Sequence, residues 1–131
     1  MNNEVNEVKN EVALPSLADA DSKTLAEAAA AILDSKKARD VAVLHIASRS
    51  DITDYLVLAM GTSAPHVKAL AGELEFRLGE RGAHPLHTDG LNTRSWQIVD
   101  YGGVMVHVFD RESREFFNLD KLYKETEKDA E

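Results

Sequence analysis

One stretch of the sequence has the residue types that hold phosphate groups in many enzymes. The apolar run Tyr55–Met60 is followed by Gly61, Thr62 and Ser63, and then by a helical pattern. A helix N-terminus offers free backbone N–H groups, which often bind anions. Gly61 allows a sharp turn, and either Thr62 or Ser63 can cap the helix. The junction therefore predicts either a phosphate-binding enzyme or a scaffold with the same backbone.

The carboxylates that nucleotidyl transfer requires do not follow this junction. That chemistry needs two carboxylates at Asp-x-Asp spacing, because Mg²⁺ prefers paired oxygen ligands. The pair with this spacing is Asp19 and Asp21, near the N-terminus, whereas Asp51 and Asp54 are three residues apart and precede the strand. We therefore favour the scaffold, and we predict no catalytic residue, no metal and no cofactor.

Histidines supply two further candidates for chemistry. His84, His87 and Asp89 form a His-x-x-His-x-Asp cluster. On a strand, positions 84 and 87 point to opposite faces, so we favour an exposed edge with two histidines over a metal site. His45 and His107 lie in apolar runs and could act as general bases. We interpret both as hydrogen-bonded structural histidines.

Trp96 is the only tryptophan of the chain and lies in a strand pattern. Strand alternation places it on one face with Ile98 and Asp100, and places Gln97, Val99 and Tyr101 on the other. A face that mixes Trp, Ile and Asp is typical of a half-exposed contact patch, and Trp is enriched at interaction hot spots. A buried core position is the alternative.

Hydrophobic periodicity predicts one α/β domain with the order α-β-β-α-β-β-β-α and a mixed sheet of about five strands. We assign residues 1–20 to a flexible tail, 21–124 to the domain and 125–131 to a charged tail. Val41–Ala47 is apolar on both alternating sets, which predicts a central strand covered on both faces. Ala83–Thr88 contains a proline and is predicted as an edge strand. Gly102 and Gly103 predict a hairpin between the last two strands.

Composition limits the classes of partner. The chain has 131 residues, no cysteine and a net charge of −8. The absence of cysteine fits the cytoplasm, and the sequence has neither a signal-peptide pattern nor a long apolar run. An acidic chain lacks the general attraction to nucleic acid, so a protein with a basic surface is the expected partner. Phe76 and the predicted edge strand could also support a homodimer.

Four motifs together resemble one family. They are T-D-Y-L-V-L-A-M-G-T-S-A-P-H-V (Thr53–Val67), Asp89-Gly90, W-Q-I-V-D-Y-G-G-V-M-V-H-V-F (Trp96–Phe109) and R-E-F-F-N-L-D-K-L-Y (Arg114–Tyr123). In order and spacing they look like the ribosomal silencing factor family, also called the Iojap-like family. The resemblance covers about residues 22–124. It implies a nucleotidyltransferase-like α/β fold without the catalytic carboxylates.

The resemblance also implies a function by binding. Members of the family bind a protein of the large ribosomal subunit, the L14-type protein, on the face that meets the small subunit. They thereby block subunit joining and repress translation when nutrients are scarce. The implied contact residues are Trp96, Ile98, Asp100 and Tyr101. The motif positions with an expected structural role are Asp54, Gly61, Thr62, Ser63, His66, Gly90, His107 and Arg114. The alternatives are a degenerate nucleotidyltransferase, a metal-dependent enzyme and a factor in large-subunit assembly.

Overall fold

The computed structural model describes residues 15–46, 53–90 and 95–113. Within these ranges the elements follow the predicted order, and residues 111–113 are helical where the last helix is expected. The elements are α1 (Ser22–Ser35), β1 (Arg39–His45), β2 (Tyr55–Met60), α2 (Ala64–Glu80), β3 (His87–Asp89), β4 (Trp96–Asp100) and β5 (Val104–Phe109). The prediction of a single α/β domain is confirmed.

The five strands form one mixed sheet in the order β1-β2-β5-β4-β3. β2 and β5 run parallel, whereas the other neighbours are antiparallel. β4 and β5 form the predicted hairpin, in which the Tyr101 N–H donates to the Val104 carbonyl at 2.8 Å. The parallel pair is possible because α2 and the strands β3 and β4 separate β2 from β5 along the chain.

The prediction that the first strand is central is wrong, because β1 lies at one edge of the sheet. Its apolar residues do pack on both sides: Val41 lies against the helix-side core, and Leu44 is buried on the other side. Apolar residues on both alternating sets of positions indicate that both faces of a strand are covered. They do not indicate whether the strand is central or at an edge of the sheet. Val43, at this edge, is 39% exposed.

The predicted edge strand does lie at the opposite edge, but it comprises His87–Asp89 rather than Ala83–Thr88. Pro85 has no N–H to donate to β4, and the first bond of the pairing comes from the Leu86 N–H to the Asp100 carbonyl at 2.8 Å. The proline therefore delays the start of the strand.

The two faces of the sheet pack against different groups. The helix face lies under α1 and α2, and its buried strand residues are Val57, Ala59, Val99, Val104, Val106 and Val108. The second face carries a smaller buried cluster of Leu44, Ile46, Leu56, Leu58 and Phe109, with Ala42, Trp96 and Met105 partly buried around it. Helices α1 and α2 both pack on the helix face, and both strands of the β4–β5 hairpin contribute side chains to the second face.

Local hydrogen bonds mark the start of α1 and the end of α2. Asp21 is the N-cap of α1, since its Oδ1 accepts the Thr24 N–H at 2.8 Å. Hydrogen bonds from Thr24 also hold the pKa of the Asp21 carboxyl below its usual value. Helix α2 ends before Gly82, whose φ of 93° lets the Ala83 N–H return to the Leu78 carbonyl at 2.9 Å. These caps fix where each helix meets the sheet.

Residues 15–20, which the composition assigns to a tail, pack against the C-terminal end of α2. The Leu17 N–H donates to the Arg81 carbonyl at 2.6 Å, and the Arg81 Nε donates to the Pro15 carbonyl at 3.1 Å. Leu17 is only 4% exposed and belongs to the helix-side core. The packed domain therefore includes residues N-terminal to α1.

Candidate functional site

Strand β4 separates its side chains between the two faces as the alternation predicts. Gln97 and Val99 are buried, whereas Trp96, Ile98 and Asp100 are partly exposed. The register pairs Trp96 with Phe109, Ile98 with His107 and Asp100 with Met105, so these side chains share the second face. We call Trp96, Ile98 and Asp100 the β4 strip. The structure thus brings three of the four predicted contact residues together.

The Trp96 indole is held by an aromatic cluster. Its Nε1–H donates to Nδ1 of His107 at 2.9 Å, and the ring centroids are 5.6 Å apart. Phe109 lies 5.6 Å from the indole and 6.1 Å from the imidazole, centroid to centroid. Trp96 is partly buried: it packs against the second-face cluster and keeps part of its surface exposed, which agrees better with the predicted contact patch than with a fully buried core position.

His107 is a buried neutral histidine. It is 7% exposed, and burial lowers its pKa to about 4. Because Nδ1 accepts the indole N–H, the ring proton of the neutral form lies on Nε2. The predicted hydrogen bond of His107 is present, and its structural role stays a prediction. His45 differs, because it is exposed and its ring stacks on Tyr55 with centroids 4.5 Å apart.

Tyr101 does not join the β4 strip. It lies on the opposite side, partly buried against the helix-side core. Burial raises the pKa of its hydroxyl well above the usual value, and the Glu75 carboxylate adds to this effect. In the part of the chain that the structure describes, its hydroxyl has no hydrogen-bond partner. Tyr101 is therefore placed as a core residue rather than as a neighbour of Trp96.

Asp100 has a structural contact besides its place in the strip. Its Oδ1 accepts the Gly102 N–H at 2.8 Å, and Gly102 has a φ of 91°. The carboxylate thus stabilises the hairpin turn that positions β4 beside β5. One oxygen is occupied in this way, while the residue remains partly exposed.

The Gly61–Ser63 junction is closed by its own helix. Ser63 is the N-cap of α2, and its Oγ accepts the His66 N–H at 3.2 Å. The Thr62 N–H donates to Nδ1 of His66 at 2.9 Å, so Nε2 carries the ring proton and donates to the Lys36 carbonyl at 3.1 Å. The Gly61 N–H donates to the Phe109 carbonyl at 2.9 Å. The N–H groups of Gly61, Thr62 and His66 are therefore already used within the protein.

Gly61 serves this junction by lacking a side chain. Positive φ occurs at the described glycines Gly82, Gly90 and Gly102 but not at Gly61. A Cβ on Gly61 would lie 2.8 Å from both Cγ2 and N of Val67. The residue is needed because α2 approaches the end of β2 closely, and not because the backbone enters the left-handed region.

An open depression of about 520 Å³ lies beside this junction, and sequence reasoning missed it. Its wall brings Arg39 and Asp40, from the start of β1, near Arg111, which follows β5. Only the strand order brings these parts of the chain together, so no local sequence signal could have predicted it. The wall carries charges of both signs, which favours no single class of ligand.

Asp54 and Gly90 hold chain segments in place. Asp54 Oδ2 accepts the Ser22 hydroxyl at 3.1 Å, and the Asp54 N–H donates to the Gly103 carbonyl at 3.0 Å. Gly90 has a φ of 86°, and a Cβ there would collide with the Trp96 carbonyl oxygen. The Gln97 side chain also donates to the Gly90 carbonyl. Gly90 is thus the residue that lets the chain pass close to the start of β4.

The histidine cluster of the predicted edge is spread out. His87 and Asp89 pair with β4, whereas the His84 ring lies 3.6 Å from where a Cβ on Gly79 of α2 would be. All three are exposed. Among the described residues there is no group of three or more His, Cys, Asp or Glu side chains that could hold a metal ion. Arg114, the remaining motif residue, lies outside the described residues.

Comparison with known proteins decides the family. A family model described as "Ribosomal silencing factor during starvation" matches residues 19–131. The chain belongs to the ribosomal silencing factor family. The ribosomal silencing factor of Bacillus subtilis is 35% identical over 101 residues, covering 77% of this chain and 86% of the relative.

Two further proteins extend this comparison. A crystal structure of a Chromobacterium violaceum protein matches with a TM-score of 0.76 at 26% identity, covering 79% of this chain and 87% of the other. A mouse protein named "Mitochondrial assembly of ribosomal large subunit protein 1" is 30% identical over 95 residues, which are 70% of this chain and 42% of the relative. Within the described residues, no helix of this silencing-factor domain is long and apolar enough to span a membrane.

Proposed function

We propose that this chain binds the L14-type protein of the large ribosomal subunit through the β4 strip and thereby prevents the small subunit from joining. It acts in the cytoplasm and represses translation under nutrient limitation. The observation that carries the proposal is the partly exposed Trp96 on the second face of the sheet, where its indole is hydrogen-bonded to His107 and packs beside Phe109. The family description, which names silencing during starvation, supports the regulatory part.

The composition of the β4 strip suits a basic protein partner. Trp96 and Ile98 offer apolar area, and Asp100 adds a carboxylate at the end of the strip. Asp89, which pairs with Ile98 across the sheet, adds a second exposed carboxylate. Apolar centres with polar rims are typical of specific interfaces, and an acidic rim attracts basic partners and raises the association rate. The net charge of −8 acts in the same direction.

The inhibitory step is steric and needs no turnover. A domain of this length has an expected radius of gyration of about 14 Å, so it is roughly 30 Å across. A body of that size bound on the intersubunit face occupies space that the small subunit needs. The hydrogen bonds that close the Gly61–Ser63 junction and the dispersed edge histidines support action by binding rather than catalysis.

The test is sedimentation of separated ribosomal subunits through sucrose gradients with the wild-type protein and with Trp96→Ala. We expect the variant to stay folded and to lose at least about thirtyfold in affinity for the large subunit, because truncating a central aromatic anchor usually costs about 2 kcal/mol or more. It should also no longer prevent subunit joining. Phe76→Ala is the matched control, since Phe76 is 62% exposed on α2 and away from the strip. Wild-type binding by a folded Trp96→Ala would refute the proposal.

Assembly of the large subunit is the second candidate, and the name of the mouse relative favours it. An assembly factor would co-sediment with precursor particles, and its loss would leave immature large subunits. An anti-association factor would bind mature subunits, and its loss would leave them intact but joined under starvation. Gradients from cells with and without the gene separate the two. Sedimentation equilibrium of the purified chain tests whether Phe76 and the edge strand support a homodimer.

A further inference from the structure

The partly exposed Trp96 uses its only polar atom inside the protein. An indole has a single donor, Nε1–H, and here it points to Nδ1 of His107 at 2.9 Å. What the ring can offer to a partner is therefore its hydrocarbon surface. Binding then does not have to desolvate a free N–H, and the direction of the ring is set before the partner arrives.

His107 is placed to give that direction. It is 7% exposed on the central strand β5, and its register neighbours Ile98 on β4 and Leu58 on β2 are apolar. An imidazole packed in this way has little freedom to move. Phe109 is fully buried beside both rings and limits tilting of the indole. The acceptor is thus held within the core, and the tryptophan bonded to it is partly exposed.

We propose that His107 is the positioning residue of the β4 strip: by accepting the indole N–H, it fixes Trp96 in the orientation that the ribosomal partner recognises. This inference rests on the proposed function, since it concerns the same surface. His107 itself touches no partner, and it acts through Trp96. A histidine that only filled the core would be replaceable by any side chain of similar volume.

Two substitutions of His107 distinguish the effect of losing its hydrogen-bond acceptor from the effect of changing its side-chain volume. His107→Leu introduces an apolar side chain of similar size and removes the acceptor, whereas His107→Asn is smaller but places its Oδ1 near the position of Nδ1. The single tryptophan gives one indole N–H signal in NMR spectra, so its chemical shift and hydrogen exchange report the bond directly. Affinity for the large subunit is measured in parallel by co-sedimentation.

We expect His107→Leu to shift the indole signal, speed its exchange and weaken large-subunit binding about three- to tenfold, the cost of ordering one side chain on binding. His107→Asn should restore most of both signal and affinity, although it leaves the larger gap in the core. Affinities that follow melting temperature rather than the indole signal would overturn the inference. So would wild-type affinity in His107→Leu.

A third variant covers the case in which His107→Leu does not fold. Replacing Trp96 by 3-benzothienylalanine keeps the fused rings and removes the N–H, so it should weaken binding by a similar factor, and unchanged affinity would refute the inference. Trp96→Ala distinguishes failure of the proposed function from failure of the positioning role of His107. If Trp96→Ala binds normally, the proposed function itself fails. If Trp96→Ala loses binding while the benzothienyl variant binds normally, only the positioning role fails.

Discussion

Burial of His107 should make the stability of the domain depend on pH. Burial lowers the pKa of His107 to about 4, from 6.5 for a free histidine. Between these values the unfolded chain binds a proton that the folded chain does not bind. The free energy of unfolding therefore falls as the pH falls through this window. The stability that His107 contributes is fully present above pH 6.5 and is lost as the pH approaches 4. The loss is at most about 1.4 kcal/mol per pH unit, which gives about 3 kcal/mol between pH 7 and pH 4.

The assay is urea unfolding at pH 7.0, 5.5 and 4.5, followed by circular dichroism and by the fluorescence of Trp96. Wild type and His107→Asn are compared, because the difference between them removes the contribution of every other titrating group. The wild type should lose about 2–3 kcal/mol more than the variant between pH 7.0 and 4.5. Carboxylates with lowered pKa values, such as Glu73 beside Arg77, act mainly below this range. Equal losses in the two proteins would show that His107 is not held neutral by burial.

Two other predictions concern positions whose surroundings the structure defines. Gly61→Ala should lower the free energy of unfolding by about 1–3 kcal/mol, because the new Cβ meets Val67, whereas Gly72→Ala, with nothing within 4 Å and a mid-helix position, should raise it by about 0.5–1 kcal/mol. Chemical denaturation of the pair checks this, and a neutral Gly61→Ala would contradict the close approach. Tyr101→Phe should leave stability unchanged or raise it by up to about 1 kcal/mol, because the described structure gives the hydroxyl no partner. Large-subunit binding should be unchanged, and a loss of binding in that variant would return Tyr101 to the contact set.

The sequence was informative where a local pattern determines the structure. Helix periodicity, the Gly102-Gly103 turn and the alternation along β4 predicted the element order, the hairpin and the face shared by Trp96, Ile98 and Asp100. The sequence was less informative where contacts between distant segments determine the position of an element. The edge position of β1 depends on which strand lies beside β5, and apolar content does not encode that choice.

The same limit applies to single residues. Leu17 follows an N-terminal segment rich in Asn and Glu, and its burial depends on the end of α2 more than 60 residues away, so composition assigned it to the tail. His107 was predicted as structural, but its bond to Trp96 depends on the β4–β5 register. The strip could thus be predicted from alternation, whereas the acceptor behind it required the register.

The hydrogen bonds at the Gly61–Ser63 junction and in the β4 strip together indicate where this fold binds a partner. At the N-terminus of α2, the His66 ring accepts the Thr62 N–H and donates to the Lys36 carbonyl. The Gly61 N–H donates to the Phe109 carbonyl of β5. These bonds secure the helix-side architecture and remove donors that an anion would use. On the second face, His107 accepts the indole N–H of the partly exposed Trp96, and Asp100 and Asp89 lie further along the same face. Backbone donors bind phosphates, whereas an oriented aromatic ring with an acidic rim binds a protein surface. Because donors at the junction are occupied and Trp96 on the sheet face is partly exposed, the structure favours the proposed ribosomal contact at the sheet face over phosphate chemistry at the junction.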